Sequence, residues 1–312
     1  MTSREDVRVL FLRKLLETLT ALLALVFLAF LFLHSLPGGP FDEEASMNPA
    51  IKENLTKLWA LDRPVLTQLG HYVAALAQGS LGDSMAQTGK SVREIISQGV
   101  SQTLALNLIA ILLAYSGAFV TSAVMSLKPA SLVSRGVELA NLLAISLPSL
   151  FLGPVLIYFF GFYLGILPTA FLQTPAHYIL PALTLSLRPW AQLNMLLHNS
   201  LTETLQLDFI RTAKAKGLSN VQILFRHAYK NSLMPILSLS GPMIVGLISG
   251  SFLVEILFSI PGLGQQFVES LNLRDYPVVI GLVLIYGACM IVLTNVFDMT
   301  VYWLDPRLRG QK

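Results

Sequence analysis

Long apolar runs constrain this chain more than any other feature. A helix needs about 20 predominantly apolar residues to cross a bilayer, and several runs here are long enough. Composition agrees: 54% of the 312 residues are hydrophobic and 12% are charged, against about 25% charged in a soluble domain. The chain reads as an all-α integral membrane protein. Cys289 is the single cysteine and lies inside an apolar run, so neither a disulfide framework nor a cysteine-based metal site can form within the chain.

Six transmembrane helices are expected, over about 12–34, 101–126, 136–160, 177–200, 233–258 and 278–303. Pro148, Pro154, Pro181 and Pro189 fall inside two of them; neighbouring helices can satisfy the carbonyls that such prolines free, and such prolines commonly kink or break the helix. The first run is long for a signal-peptide core, and His34-Ser-Leu-Pro-Gly-Gly-Pro40 is not a cleavage site of the small-residue type, so it is read as a retained span. The resulting organisation is an N-terminal segment 1–11, a first helix 12–34, a polar segment 35–100, a five-helix core 101–303 that includes segment 201–232, and a C-terminal segment 304–312.

Basic residues orient membrane proteins. Arg4, Arg8, Arg13 and Lys14 precede the first span, Lys128 and Arg135 follow the second, and Arg211, Lys214, Lys216, Arg226 and Lys230 follow the fourth; Arg307, Arg309 and Lys312 end the chain. With six spans all four groups share one side, which the rule makes cytoplasmic. The opposite side carries Lys52, Lys57, Lys90 and Arg93, mostly in the long polar segment with acidic company, together with Arg63 and Arg274. The 35–100 segment is then an extracytoplasmic cap of short amphipathic helices, marked by Leu55, Leu58, Val65, Leu69, Tyr72, Val73, Leu76 and the stretch Val92–Ile96.

The unusual polar stretch is Asp208-Phe-Ile-Arg211-Thr-Ala-Lys214-Ala-Lys216-Gly217, continuing to Arg226-His227-Ala228. A helical period over Leu201–Lys216 puts Leu205, Phe209 and Thr212 on one side and leaves Arg211, Lys214 and Lys216 more exposed. Gly217 can end that helix in the left-handed conformation. A second helix begins over Val221–Tyr229, and Pro235 marks entry into the next span. Such a segment serves as a docking surface or as an anchor on anionic lipid.

The same stretch resembles the EAA-type coupling motif of ABC importer permeases, in the form found in the oligopeptide/dipeptide/nickel branch. Other motifs resemble that family in order along the chain: Pro37-Gly38-Gly39-Pro40, Gly241-Pro242, Gly250-Ser251 with Glu255, Ile260-Pro261-Gly262-Leu263-Gly264, Arg274-Asp275-Tyr276-Pro277, Asn295, Asp298, Tyr302 and Asp305-Pro306-Arg307. Met195 and His198 stand where relatives often carry arginines, and proline comes at Pro235 rather than near Tyr229–Lys230. The resemblance implies a type I ABC importer permease fold with a cytoplasmic coupling helix. It implies that Asp208, Arg211, Thr212, Ala213, Ala215, Lys216, Gly217, Arg226 and His227 form the ATPase-coupling segment. It also implies a homologous second permease, two ABC ATPase subunits holding ATP and Mg, and an extracytoplasmic substrate-binding protein, in a bacterial inner membrane with both termini cytoplasmic. Membrane lipid is an expected partner and nucleic acid is not. Peptides are the first expectation for the cargo, with nickel or another small solute as the alternative.

The chain itself is not expected to be an enzyme or to bind a cofactor. Gly89-Lys90-Ser91 resembles the end of a P-loop, but Ser84 occupies the place of its first glycine. Gly262-Leu-Gly264 is not a dinucleotide fingerprint. Histidines 34, 71, 177, 198 and 227 do not cluster at metal-ligand spacing. A Ser249 nucleophile would need a base, and no histidine lies at comparable depth in another span. A gradient-driven transporter would favour inverted repeats and acidic relays, and neither is evident. Polar residues in spans are functional candidates because burying them in lipid is costly. Arg188, Glu255 and Asn295 are therefore candidates for a substrate path or gate, each with a structural helix–helix bond as the other reading; for Asp298, toward the cytoplasmic end, the structural reading is favoured. Gly246 and Gly250 permit close helix crossing, within the chain or against a partner.

Overall fold

A computed structural model describes residues 4–40, 53 and 56–304. Asp42-Glu43-Glu44, Pro49, Lys52 and Leu55 of the polar segment, and Asp305-Pro306-Arg307, Arg309 and Lys312, lie outside the described residues. The helices, in chain order, are α1 (Arg4–Ser35), α2 (Val65–Ala77), α3 (Val92–Leu127), α4 (Leu132–Ser146), α5 (Ser149–Leu156, continued by a π-helical stretch Ile157–Tyr163), α6 (Ile179–Thr204), α7 (Asp208–Ala215), α8 (Asn220–Ile223), α9 (Tyr229–Leu257), α10 (Leu263–Asn272) and α11 (Tyr276–Leu304). The only extended pairing described is a single antiparallel bridge, Asp83 to Ser91. The chain divides into two compact units, residues 1–102 with 261–292, and residues 103–260 with 293–312.

Among the described residues, four helical segments are long and apolar enough to cross a membrane: Arg13–Ser35, Val92–Leu127, Met234–Leu257 and Tyr276–Thr300. The expected third span differs from its sequence reading. It is not one helix but α4 and α5, bent by 119° at the Leu147–Pro148 break. Proline disfavours helical geometry in the residue before it, and Leu147 is extended, with φ −91° and ψ 133°. Counting the bent pair as one span gives five. The expected fourth span is α6, which has 26 residues but a less apolar sequence. Twelve of those residues are buried, among them Thr184, Ser186, Asn194 and Thr204. A helix surrounded by protein need not be apolar on the side that finds polar partners.

In the first unit, Val26, Phe30 and Leu33 of α1 pack with Tyr276, Val279 and Ile280 of α11, and Val65, Leu69 and Tyr72 of α2 lie against them. The expected amphipathic stretch Val92–Ile96 is the start of α3, and Val92, Ile95 and Ile96 pack on Leu263, Val278 and Leu282. Two motifs far apart in sequence meet here. Gly38 has φ +88°, and a Cβ on it would overlap the Arg274 guanidinium, which donates to the Gly39 carbonyl at 3.4 Å. Beside it, buried Asp275 accepts hydrogen bonds from the Ser84 hydroxyl and from the Met85 and Ala86 amides, the latter two at 3.1 and 3.3 Å.

In the second unit, α6 is the central helix and packs against α9, α4 and α5. Leu106, Ala110, Leu180, Leu185, Leu247 and Val254 form one core, and Ala114, Ala118, Leu193, Leu197, Leu201 and Ile236 form another. Gly241 serves a close crossing within the chain: a Cβ there would lie 2.7 Å from the Phe297 Cβ of α11. Leucines 108, 112, 139, 142 and 150 are exposed; in a bilayer this apolar surface meets lipid rather than water.

Candidate functional site

The polar segment after α6 folds into a small structure of its own. The period expected over Leu201–Lys216 is interrupted, because α6 ends at Thr204 and α7 starts at Asp208. The helix therefore presents a different face from the one its sequence period predicts. Ile210 and Ala213 point inward, packing with Ile223, Leu205 and Leu218, while Phe209 and Thr212 are exposed. Asp208 in the first turn and Lys214 in the last complement the helix dipole. Gly217 closes α7 with φ +79°. Its amide donates to the Lys214 carbonyl at 2.9 Å, and the Leu218 amide donates to the Ala213 carbonyl at 3.3 Å. This pair of bonds is a Schellman motif, with Leu218 supplying its apolar contact.

The turn into α8 is fixed just as locally. The Gln222 amide donates to Ser219 Oγ at 3.3 Å, and the Ser219 amide donates to Gln222 Oε1 at 3.0 Å, a capping box. The chain then runs through a π-helical turn, Leu224–Ala228, into α9. Leu224, Ala228 and Tyr229 belong to the core that holds Leu193, Leu197 and Leu201 of α6. Tyr229 is 3% exposed. Its hydroxyl donates to the Phe119 carbonyl of α3 at 2.6 Å and contacts Ser122 Oγ at 3.1 Å. Burial pushes its pKa up, against the Ser122 contact, so the hydroxyl stays a neutral donor. Thr204 and Ser232 hydroxyls, buried and 3.0 Å apart, join the end of α6 to the start of α9.

These contacts hold one polar surface in place. Asp208, Arg211, Thr212, Lys214, Ala215, Lys216 and Gly217 are all exposed on it, and Arg226 is exposed on the following turn. His227 is half-buried. Ala213 differs from its neighbours: at 5% exposure it supports α7 from beneath instead of facing outward. Arg211 pairs with Asp208 at 3.3 Å on the open surface, where such a pair is worth little.

A second feature lies among α5, α6 and α9. It is a cavity of about 590 Å³ whose lining includes Ser149, Thr184, Arg188, Gln192, Met243 and Gly246. Two prolines, Pro189 of α6 and Pro242 of α9, also line it. Each removes the amide that would bond the carbonyl four residues earlier. Arg188 is thus brought to a cavity, whereas Glu255 and Asn295 are not among its lining residues. Glu255 is fully buried and is an electrostatic neighbour of Tyr178. Asn295 is half-buried on α11 and Asp298 is exposed. Gly250 packs against Leu185 of α6, while a Cβ on Gly246 would meet open space. Thr184 and Gln192 are site residues that the sequence reading passed over. Their four-residue spacing on either side of Arg188 places all three on one helix face, and that stripe was available in the sequence. Among the described residues no group of three or more His, Cys, Asp or Glu side chains is placed to hold a metal ion.

Membrane-length helices, an exposed basic helix and a cavity lined by a charged residue occur together in this chain. Residues 117–310 match the family described as the binding-protein-dependent transport system inner membrane component. The chain is 34% identical to the dipeptide transport system permease protein DppB of Bacillus subtilis over 291 residues, covering 93% of this chain and 94% of that one. It is 32% identical to the oligopeptide transport system permease protein OppB of Salmonella typhimurium over 300 residues, covering 96% and 98%. The chain belongs to this family, as an ABC-transporter permease of the oligopeptide/dipeptide/nickel importer branch. The fold is that of type I ABC importers. The MetNI methionine ABC transporter in inward-facing form gives a TM-score of 0.55 at 17% identity, covering 68% of this chain and 96% of that one. An amino acid ABC transporter crystallised with histidines gives 0.54 at 14% identity, covering 67% and 94%.

Proposed function

We propose that this chain is the membrane half of an ATP-driven peptide importer, with α7 as its coupling helix. One observation carries the coupling assignment: an exposed basic helix rests on a buried apolar base that is continuous in sequence with α6 and α9, the helices around the cavity. ATP and Mg belong to two partner ATPases. A groove on each ATPase receives a coupling helix, here through Arg211, Thr212, Ala215, Lys216 and Gly217, with Asp208, Arg226 and His227 at the margins. Ala213 keeps α7 close to α8. A push on α7 then passes through Ile223 and Leu224 to Leu197, Leu201 and Tyr229, and so to both helices at once.

The topology that goes with this reading has six crossings, by α1, α3, the α4–α5 pair, α6, α9 and α11. Both termini and the α7–α8 segment are cytoplasmic, an orientation that the distribution of basic residues favours. The membrane is the inner membrane of a bacterium. A second, homologous permease completes the path, and an extracytoplasmic binding protein delivers the cargo to segment 35–100 and the turn before α11. Peptides are the cargo class of the similar DppB and OppB proteins. Arg188 lies on the path; Glu255 and Asn295 are gate or packing residues away from the cavity.

The test is to purify the chain from gently solubilised membranes, identify what accompanies it by mass, and reconstitute the complex in liposomes. ATP-dependent uptake of a short peptide presented by the binding protein is the expected result. A complex that hydrolyses ATP with its binding protein present, but accumulates no peptide, would contradict the cargo; a chain recovered without ATPases would contradict the importer.

A further inference from the structure

The cavity lined by α5, α6 and α9 contains one formal charge. Arg188 makes no ion pair among the described residues, and no acidic side chain lines the cavity. Arg188 is exposed at the cavity wall, so its unpaired guanidinium is open to an anion that comes from elsewhere. The geometry around it suits a transient guest. The volume, about 590 Å³, falls in the range of about 300–1,000 Å³ typical of small-molecule pockets. Thr184 and Gln192 flank Arg188 with neutral polar groups, and Gly246 leaves the facing wall without a side chain.

We propose that Arg188 receives the C-terminal carboxylate of the transported peptide as it passes this cavity. The inference rests on the peptide-importer reading above. A peptide of any sequence carries that carboxylate, and a guanidinium fork matches it with two parallel hydrogen bonds. Meanwhile the apolar and small residues around it place little demand on the side chains that follow. One fixed charge in a permissive cavity therefore orients varied cargo by the one group they share.

The experiment uses the whole importer in proteoliposomes, with its binding protein saturated by trialanine or by trialanine amide. Arg188→Gln is expected to lower the ratio of trialanine to amide uptake about tenfold or more, the size of a lost charge-assisted bond, and Arg188→Lys to recover part of it. An unchanged ratio overturns the proposal, including the case in which both peptides slow equally, which would place Arg188 on a protein carboxylate of the partner permease. If Arg188→Gln does not assemble, equilibrium binding to the wild-type complex decides: trialanine should bind at least tenfold more tightly than its amide, and Gly246→Leu, whose side chain enters open space, should abolish that difference. Equal affinities would overturn the proposal. A wild-type complex that carries neither peptide overturns the peptide-cargo reading, and this inference with it.

Discussion

Gly217 holds the end of α7 at φ +79°, a conformation that costs an L-residue about 1–2 kcal/mol. Gly217→Val should strain the Schellman turn and misplace the exposed residues beside it. In reconstituted importer, peptide uptake per ATP hydrolysed is expected to fall several-fold; unchanged stoichiometry would remove α7 from the coupling path. Ala213 acts from the other side. Ala213→Glu would bury a carboxylate against Ile210 and Ile223, an arrangement that expels the helix from its seat. The expected outcome is a chain that inserts normally but loses its ATPases during purification. Tyr229→Phe is a subtler probe. It removes the 2.6 Å bond to the part-buried Phe119 carbonyl, which keeps the Ser122 hydroxyl as a donor, and should cost about 0.5–1.5 kcal/mol, read as a lower unfolding temperature of the purified complex.

At the scale of elements, how much was legible depended on how local the determining physics was. Apolar length announced α1, α3, α9 and α11, and glycine chemistry placed the end of α7 within the segment where it occurs. The broken third span was legible only in part: Pro148 marked a kink or a full break, and sequence alone does not say which of the two occurs. The inward face of α7 was misread because the period was counted from Leu201, across a break at residues 205–207 that sequence alone does not mark. Arg188 was singled out as a polar residue within an expected span, but the cavity that it lines is made by three helices together. Motif order also concealed a contact. Pro37-Gly38-Gly39-Pro40 and Arg274-Asp275 read as separate signatures, yet in the first unit Arg274 meets Gly38 and Gly39. Asp275→Asn would replace one of the two acceptor oxygens by an NH2 and set it against either the Met85 or the Ala86 N–H donor. Faster proteolysis within residues 83–91 is the expected result, and unaltered protection would show that the carboxylate does not hold that loop.

At the scale of the whole molecule, the proposed importer subunit supplies a path and borrows its energy from partner ATPases. An exposed polar surface lies on α7, where a motor would dock, and Arg188 lines the cavity through which cargo would pass. The claim that joins these is that α7 docks on a separate ATPase. A photoreactive residue placed at Lys216, on the exposed surface, and at Ile210, on the buried one, tests it most directly in intact membranes. The account predicts that position 216 cross-links to an ATP-hydrolysing subunit and position 210 does not. Cross-linking from position 216 to lipid alone, or equal cross-linking from both positions, would contradict it.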